Sequence, residues 1–137
     1  MEIRKLAGII IGFIISVSCS AYEFKKASEV TLFKNYALSS CVATYYENET
    51  IYRDALDALN GSREYANLPL EAYHEINDAL KKWSNKVYKS KSGNISEFFM
   101  CIDFHNSVDV MNIYQKYDPC KNSSNWSSKE RYEIRCK

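Results

Sequence analysis

Four cysteines, Cys41, Cys101, Cys120 and Cys136, limit the folds open to this chain more than any other feature. They follow an N-terminal segment typical of exported proteins, and an even number of cysteines in a small exported domain predicts disulfides. Four cysteines allow three pairings, so the count alone does not say which residues are joined. None of the four has C-x-x-C spacing and the chain has 2 histidines, so we expect no zinc site.

The first 21 residues have the layout of a secretory signal peptide. A basic start, MEIRK, precedes the uncharged apolar run LAGIIIGFIISV, and the small residues SCSA then provide a cleavage site after Ala21. The run is too short for a comfortable membrane span, so we expect a mature domain of residues 22–137 in the periplasm, without stable membrane association. A lipoprotein acylated at Cys19 is the weaker alternative, because Ser16 stands where a lipobox has leucine.

Charge and motif content argue against several classes of function. The whole chain has 18 basic and 17 acidic residues, and removal of Glu2, Arg4 and Lys5 with the signal peptide leaves 16 of each. A balanced chain has no general electrostatic attraction for nucleic acid or for an anionic membrane. The sequence also lacks GxSxG, Gly-rich phosphate-loop and HExxH motifs, so we predict no cofactor.

Apolar residues recur at intervals of three and four in four segments, which predicts an all-α fold, a small disulfide-stapled bundle of about four helices. The predicted helices span 28–46, 49–66, 69–87 and 96–117, and the tail, about 118–137, is polar and irregular. Gly61 weakens the second segment, where we expect the helix to break or bend. In the third, Pro69 suits the first helical turn and the apolar stripe runs to Val87.

The apolar stripes also predict how the cysteines pair. Cys41 lies on the stripe of the first helix with Val30, Phe33, Ala37 and Thr44. Cys101 lies on the stripe of the fourth helix with Phe104, Val108, Met111 and Tyr114. Stripes that face one core bring Cys41 and Cys101 together, so we predict that bridge. Cys120 and Cys136 stand at the two ends of the polar tail, and we expect them to close it.

Cys101 also stands four residues before His105, a spacing that puts both side chains on one face of a helix. A cysteine beside a histidine can serve as a thiolate nucleophile, so a small secreted cysteine hydrolase is one interpretation. A reactive thiolate needs a partly exposed, electropositive site, whereas Cys101 is predicted to lie in the core and in a bridge. The structural role is favoured, and no catalytic residue is predicted.

Three stretches resemble the amidase immunity proteins of bacterial type VI secretion systems. They are NYALSSCVATYY (35–46), SREYANLPLEAYHEINDALKKW (62–83) and FFMCIDFHNSVDVMNIYQKY (98–117). The patterns YALSxCxAxxY, LPLEAY and CIDxxHS, the last present here as CIDFHNS, resemble those of that family in order and spacing. The likeness spans most of residues 30–117, and the tail with Cys120 and Cys136 has no counterpart in the family's pattern.

The resemblance implies a periplasmic, all-helical and usually dimeric protein that inhibits a papain-like cysteine amidase of peptidoglycan. In that family a protruding loop enters the catalytic cleft of the amidase. The matching segment lies between the third and fourth helices, and its predicted effector-binding residues are Lys86, Tyr88, Lys89, Ser90, Lys91, Ser92, Gly93 and Asn94. Composition alone favours a solvated connector instead. Exposed tyrosines such as Tyr45, Tyr46 or Tyr65 are candidates for dimer contacts.

One further alternative stays open. A secreted ligand-binding or surface antigen domain without enzymatic activity would carry the same helices and disulfides. A gene for a papain-like amidase beside this one would favour the immunity function over it.

Overall fold

The computed structural model describes residues 23–137; the predicted signal peptide and the weaker lipoprotein alternative at Cys19 lie outside the described residues. The described chain is all-α, as predicted. Its helices are α1 (Glu29–Tyr45), α2 (Glu49–Tyr65), α3 (Leu70–Trp83), α4 (Glu97–His105), α5 (Val108–Tyr117) and α6 (Lys129–Arg135), with 3₁₀ turns at Glu23–Lys25, Pro119–Lys121 and Ser123–Asn125.

The first helix, α1, is the centre of the bundle. Ser28 caps it by accepting a hydrogen bond from the Thr31 amide, which satisfies one of the free N–H groups of the first turn. The helix packs against α2, α3, α4 and α5 and is buried on more than one side. Its predicted stripe residues Phe33, Ala37 and Cys41 are fully buried, whereas Val30 is half-buried and Thr44 is exposed.

The core between these helices is aromatic. The rings of Tyr36 and Tyr73 have centroids 4.5 Å apart, and Phe33 contacts Tyr114 at 5.9 Å. Large rings with offset or edge contacts contribute more than their buried area alone, so these pairs hold α1 against α3 and α5.

The second helix runs without interruption through Gly61 to Tyr65, so the predicted break does not occur. A glycine costs a helix about 1 kcal/mol, which tertiary packing can override. Here Ala55 and Ser62 are buried on one side of α2, which packs mainly against α1. One of them precedes Gly61 in the chain and the other follows it, so packing keeps the helix continuous there.

The third helix ends at Trp83, not at Val87. Ser84 closes it, donating its amide to the Leu80 carbonyl and its hydroxyl to the Lys81 carbonyl. Val87, predicted to belong to the apolar stripe, is 65% exposed. The apolar pattern of the sequence continues beyond the end of the helix. Ser84 ends the helix earlier, because serine competes for backbone hydrogen bonds.

The predicted fourth helix is two helices, α4 and α5. Asn106 ends α4, and its side-chain amide donates to the Ile102 carbonyl. Ser107 then caps α5 by accepting from the Val110 amide. The break shifts the register, so Val110 is fully buried and the predicted stripe residue Val108 is 72% exposed.

The tail is more regular than predicted. It contains two 3₁₀ turns and the short helix α6. The Trp126 indole donates to the Pro119 carbonyl, and the Tyr132 hydroxyl donates to the Cys120 carbonyl. The hydrogen bonds of two large aromatic side chains therefore hold this polar segment together.

Both disulfides have the predicted connectivity. Cys41 in α1 is bonded to Cys101 in α4, with Cα atoms 5.5 Å apart. Cys120 is bonded to Cys136, with Cα atoms 5.4 Å apart, and closes the tail. Within residues 23–137, none of the helices has the length and apolar content needed to cross a membrane.

Candidate functional site

The connector between α3 and α4 folds as a short β-hairpin, residues 86–96, called here the α3–α4 hairpin. The Gly93 amide donates to the Ser90 carbonyl at 2.9 Å, and the Ser90 amide donates to the Asn94 carbonyl at 2.8 Å. Lys89 and Ile95 then form an antiparallel bridge, and the Ser96 amide donates to the Tyr88 carbonyl at 3.0 Å. The predicted all-α fold contains no strand pair, so this local pairing is a finding of the structure.

Gly93 makes the turn possible. Its φ of +84° lies in the left-handed region, which costs residues with a Cβ roughly 1–2 kcal/mol. A turn closed by a glycine with positive φ is a common three-residue hairpin connection. The S-G-N sequence was the available signal for this turn.

Side chains tighten the tip further. The hydroxyl groups of Ser90 and Ser92 are 2.7 Å apart, and the Asn94 amide donates to the Ser90 hydroxyl at 3.2 Å. Serine and asparagine form such local side-chain-to-backbone bonds readily in turns. The tip is therefore held by its own polar groups.

The base of the hairpin is anchored to the bundle. The Lys86 ammonium lies 3.2 Å from the centroid of the Trp83 ring, a cation–π contact. Tyr88 is half-buried and packs against the core cluster, and desolvation, with Asp103 nearby, raises the pKa of its phenol. On the following side, α4 is joined to α1 through Cys101.

The structure thus divides the predicted effector-binding residues into two groups. Lys86 and Tyr88 contact the bundle at the base, and Ser90 is half-buried within the turn. The residues exposed at the tip are Lys89, Lys91, Ser92, Gly93 and Asn94. The tip therefore presents two ammonium groups and short polar side chains to solvent.

Four exposed apolar side chains lie within the hairpin or just after it, and none of them was predicted to belong to a site. Val87, Ile95, Phe98 and Phe99 are 65%, 67%, 51% and 57% exposed; they are called here the apolar rim. Phe98 also meets Tyr46 edge-on at 6.5 Å. A sequence signal was available for Phe99, which falls off the α4 stripe that contains Cys101 and Phe104, but not for Phe98, which lies three residues before Cys101. Clustered exposed apolar residues often mark an interaction surface.

The Cys101–His105 pair does not form a nucleophile in this structure. The Cys101 sulfur is fully buried and bonded to Cys41, so it is not a thiolate. Burial and the nearby Lys34 lower the pKa of His105 below its ordinary 6.5. In the part of the chain that the structure describes, no three His, Cys, Asp or Glu side chains are grouped as metal ligands would be.

The three tyrosines proposed as dimer contacts are only half-exposed. Tyr45 packs against the core cluster, Tyr46 against Phe98, and Tyr65 stacks on Phe24 at 6.4 Å. Much of their surface is therefore used within the protomer, and the apolar rim offers more free apolar surface than they do.

Comparison with protein families finds one match. The family of type VI secretion system amidase immunity proteins, Tai4, matches residues 31–114. The matched segment includes α1, α2, α3, the α3–α4 hairpin and α4, and it ends within α5. The disulfide-closed tail lies outside it. A comparison with curated proteins finds no match.

Solved structures with the same fold come from effector–immunity systems. A chain of the Tae4/Tai4 system from Salmonella typhimurium, in a selenomethionine variant, has a TM-score of 0.64 at 28% identity, covering 69% of this chain and 94% of that one. The complex of Tae4 from Salmonella typhimurium with the immunity protein Tai4 from Enterobacter cloacae gives 0.63 at 15% identity, covering 67% and 95%. The Tae4–Tai4 complex from Enterobacter cloacae gives 0.63 at 15%, covering 67% and 94%. At 15% identity the likeness is one of fold alone.

Proposed function

The chain belongs to the family of type VI secretion system amidase immunity proteins, and we propose that it binds and inhibits an amidase effector, so protecting peptidoglycan. The partner we propose is a papain-like cysteine amidase, and the inhibitor itself performs no catalysis. The solved effector–immunity systems of the same fold support an effector as the partner.

The observation that carries the proposal is the shape and rigidity of the α3–α4 hairpin. A segment that enters a catalytic cleft must be narrow, and the conformational entropy that it loses on binding lowers the affinity. The hairpin is narrow because three residues turn between its paired arms, and it is held at the tip by Ser90, Ser92 and Asn94. Because it is already ordered, it can occupy a cleft at low entropic cost.

We assign two contributions to the surface around the turn. The exposed Lys89 and Lys91 meet acidic groups along the amidase groove, which favours fast association and correct orientation. The apolar rim then supplies buried area beside the cleft, where aromatic residues such as Phe98 and Phe99 contribute most to affinity. The hairpin blocks substrate access and takes no part in the reaction that the amidase catalyses.

The same family membership supports two further proposals. The protein acts in the periplasm, where its disulfides form and where an injected amidase meets its substrate. It is also a homodimer, and light scattering at working concentration tests this; a monomeric mass would contradict it. Fractionation of the producing cells, followed by detection of the chain, tests the location.

The experiment that tests inhibition replaces residues 89–93 with a short Gly-Ser link. We expect helical circular dichroism and the melting temperature to stay nearly unchanged, because the base residues Trp83 and Tyr88 are kept. Inhibition of peptidoglycan cleavage by the cognate amidase should fall sharply. If the folded variant inhibits as well as the parent, the hairpin is only a connector and the binding surface lies on a helix face.

Matched lysine variants test the charge contribution separately. Lys89→Ala with Lys91→Ala should slow association with the amidase, and the difference from the parent should shrink as salt is added. Lys129→Ala with Lys137→Ala removes the same charge from the tail and is the control. Equal effects of the two pairs would show that only net charge matters.

A further inference from the structure

The C-terminal tail contacts the opposite end of the chain through one buried arginine. Arg135, the last residue of α6, is only 5% exposed. Its Nη1 donates hydrogen bonds of 2.7 Å to the carbonyl oxygens of Phe24 and Ala27. These carbonyls lie 111 and 108 positions earlier in the chain. The tail thus holds the segment that leads into α1.

The same contact includes the end of α2. The ring of Phe24 stacks on Tyr65 at 6.4 Å, and the Arg135 guanidinium lies 5.9 Å from the centre of the Tyr65 ring. Glu29, fully buried in the first turn of α1, is close enough for its charge to act favourably on Arg135. A buried guanidinium is costly unless its donors and charge are satisfied, so Arg135 is stable there only while these partners stay in place.

The position of Arg135 depends on the disulfide beside it. Helix α6 has 7 residues, fewer than an isolated helix needs to be stable in water. The next residue, Cys136, is bonded to Cys120, and Tyr132 donates to the Cys120 carbonyl. These connections, together with the edge contact between the Trp126 and Tyr132 rings, fix α6 relative to the start of the tail at Asp118, which follows α5.

The two disulfides also differ in access. Cys41 and Cys101 are fully buried, whereas Cys120 and Cys136 are half-exposed. Thiol–disulfide exchange requires an attacking thiolate to reach a sulfur atom, so the tail bond is the more accessible of the two while the domain is folded.

We propose that residues 118–137 form a redox-dependent latch, in which the Cys120–Cys136 bond sets Arg135 to hold residues 24–27 against the domain. When the bond forms, the two thiols lose two electrons and two protons to a protein or small-molecule disulfide, which is reduced to two thiols. In the reduced chain the tail is open and the N-terminal segment is undocked. After oxidation the segment is docked and α1 is secured at its first residue.

The latch is independent of the proposed inhibitory surface because the two lie at opposite ends of α1. Residues 24–27 precede the first turn of that helix, whereas Tyr46, just after its last turn, contacts Phe98 beside the hairpin. A helix of 17 residues is about 25 Å long. Opening of the latch should therefore leave the hairpin in place.

Limited trypsin digestion of the full-length chain, as exported and purified in oxidised form, tests the latch. Lys25 and Lys26 lie in the docked segment, and Lys89 and Lys91 in the hairpin serve as internal reference sites. We expect Cys120→Ser with Cys136→Ser, and separately Arg135→Gln, to speed cleavage after Lys25 or Lys26 about ten-fold or more, because a protease cuts locally opened backbone. Cleavage at the reference sites should be unchanged.

Arg131→Gln is the matched control, since this arginine of α6 is exposed. Unchanged cleavage at Lys25 and Lys26 in both test variants would overturn the latch. Faster cleavage in Arg135→Gln alone would overturn its redox dependence. Equal acceleration of cleavage at the hairpin sites would show a general loss of stability and would also overturn the latch. Circular dichroism of each variant confirms that the helices are present.

Discussion

The indole Nε1 of Trp83 donates a 2.7 Å hydrogen bond to the carboxylate of Asp109, joining the last residue of α3 to the first turn of α5. The hairpin begins at Lys86, three residues after Trp83, so this bond holds the end of the bundle from which the hairpin projects. We expect Asp109→Ala to lower the free energy of unfolding by about 1–3 kcal/mol, because it removes a charged hydrogen-bond acceptor. Urea unfolding measures the loss, and Asp57→Ala on the exposed side of α2 is the control. A similar loss in both variants would contradict a special role for this bond.

The Cys41–Cys101 bridge closes a loop of 60 residues between α1 and α4. Replacing both cysteines with alanine should lower the free energy of unfolding by about 4 kcal/mol, the chain-entropy value for a loop of this length. Chemical unfolding of the variant and of the parent gives the difference. The Cys120→Ser with Cys136→Ser variant is the comparison, since its shorter loop of 16 residues predicts about 3 kcal/mol. A larger loss for the tail pair would reverse the expected order.

Gly61 lies inside α2, and a Cβ built there would meet no atom within 4 Å. Gly61→Ala should therefore raise the free energy of unfolding by about 0.5–1 kcal/mol, because alanine loses less backbone entropy in a helix. Thermal and urea unfolding both report the gain. A loss of stability would mean that a neighbouring side chain fills the space above Gly61.

Gly93 differs from Gly61 in what a substitution would cost. A Cβ would meet no atom within 4 Å there either, but the φ of +84° restricts substitution. Gly93→Ala should lower the free energy of unfolding by about 1–2 kcal/mol at most and should distort the hairpin tip. We expect inhibition of the amidase to weaken more than stability does. Parallel inhibition and unfolding curves measure both effects. Inhibition equal to that of the parent would exclude the tip from the interface.

Glu29 should make stability depend on pH. Burial raises the pKa of its carboxyl above the ordinary 4.5, and the Asn67 amide and Arg135 only partly offset this. Because the folded state holds the proton more tightly, the contribution of Glu29 is most favourable below about pH 4.5 and falls as pH rises through the raised pKa. In the Glu29→Gln variant the side chain at position 29 does not titrate. The stability of the parent relative to this variant should therefore decline as the pH rises above about 4.5 and through the raised pKa, and a flat difference would contradict the shift.

The helices and the disulfide pairing could be predicted because they follow from local periodicity. Phe33, Ala37 and Cys41 recur at one helical face, and burying that face against the stripe of Cys101 and Phe104 brings the two sulfurs together. The same periodicity gave a wrong prediction at Asn106–Ser107. The apolar spacing continues unbroken from Phe104 to Val108, although the helix ends between these two residues. Two capping residues in succession were the signal for the break, and the capping geometry overrode the pattern.

The site was only partly predictable. The position of the hairpin follows from composition, because Ser92, Gly93 and Asn94 cannot extend a helix well. Its pairing, and the exposure of Phe98 and Phe99 beside it, depend on how α3 and α4 end against the bundle. The contact of Arg135 with Phe24 could not be predicted at all. It joins residues 111 positions apart, and no local pattern in a polar tail indicates such a contact.

The contact of Arg135 with Phe24 and Ala27 also makes the described chain close to a ring. Phe24 and Ala27 lie beside Arg135 at one end of α1, while the hairpin lies at the other end. A fluorophore, a surface tether or a fused reporter attached at the C-terminus would therefore stand about one length of α1, roughly 25 Å, from the hairpin. The C-terminus is thus an attachment point on the side away from the surface proposed to bind the amidase.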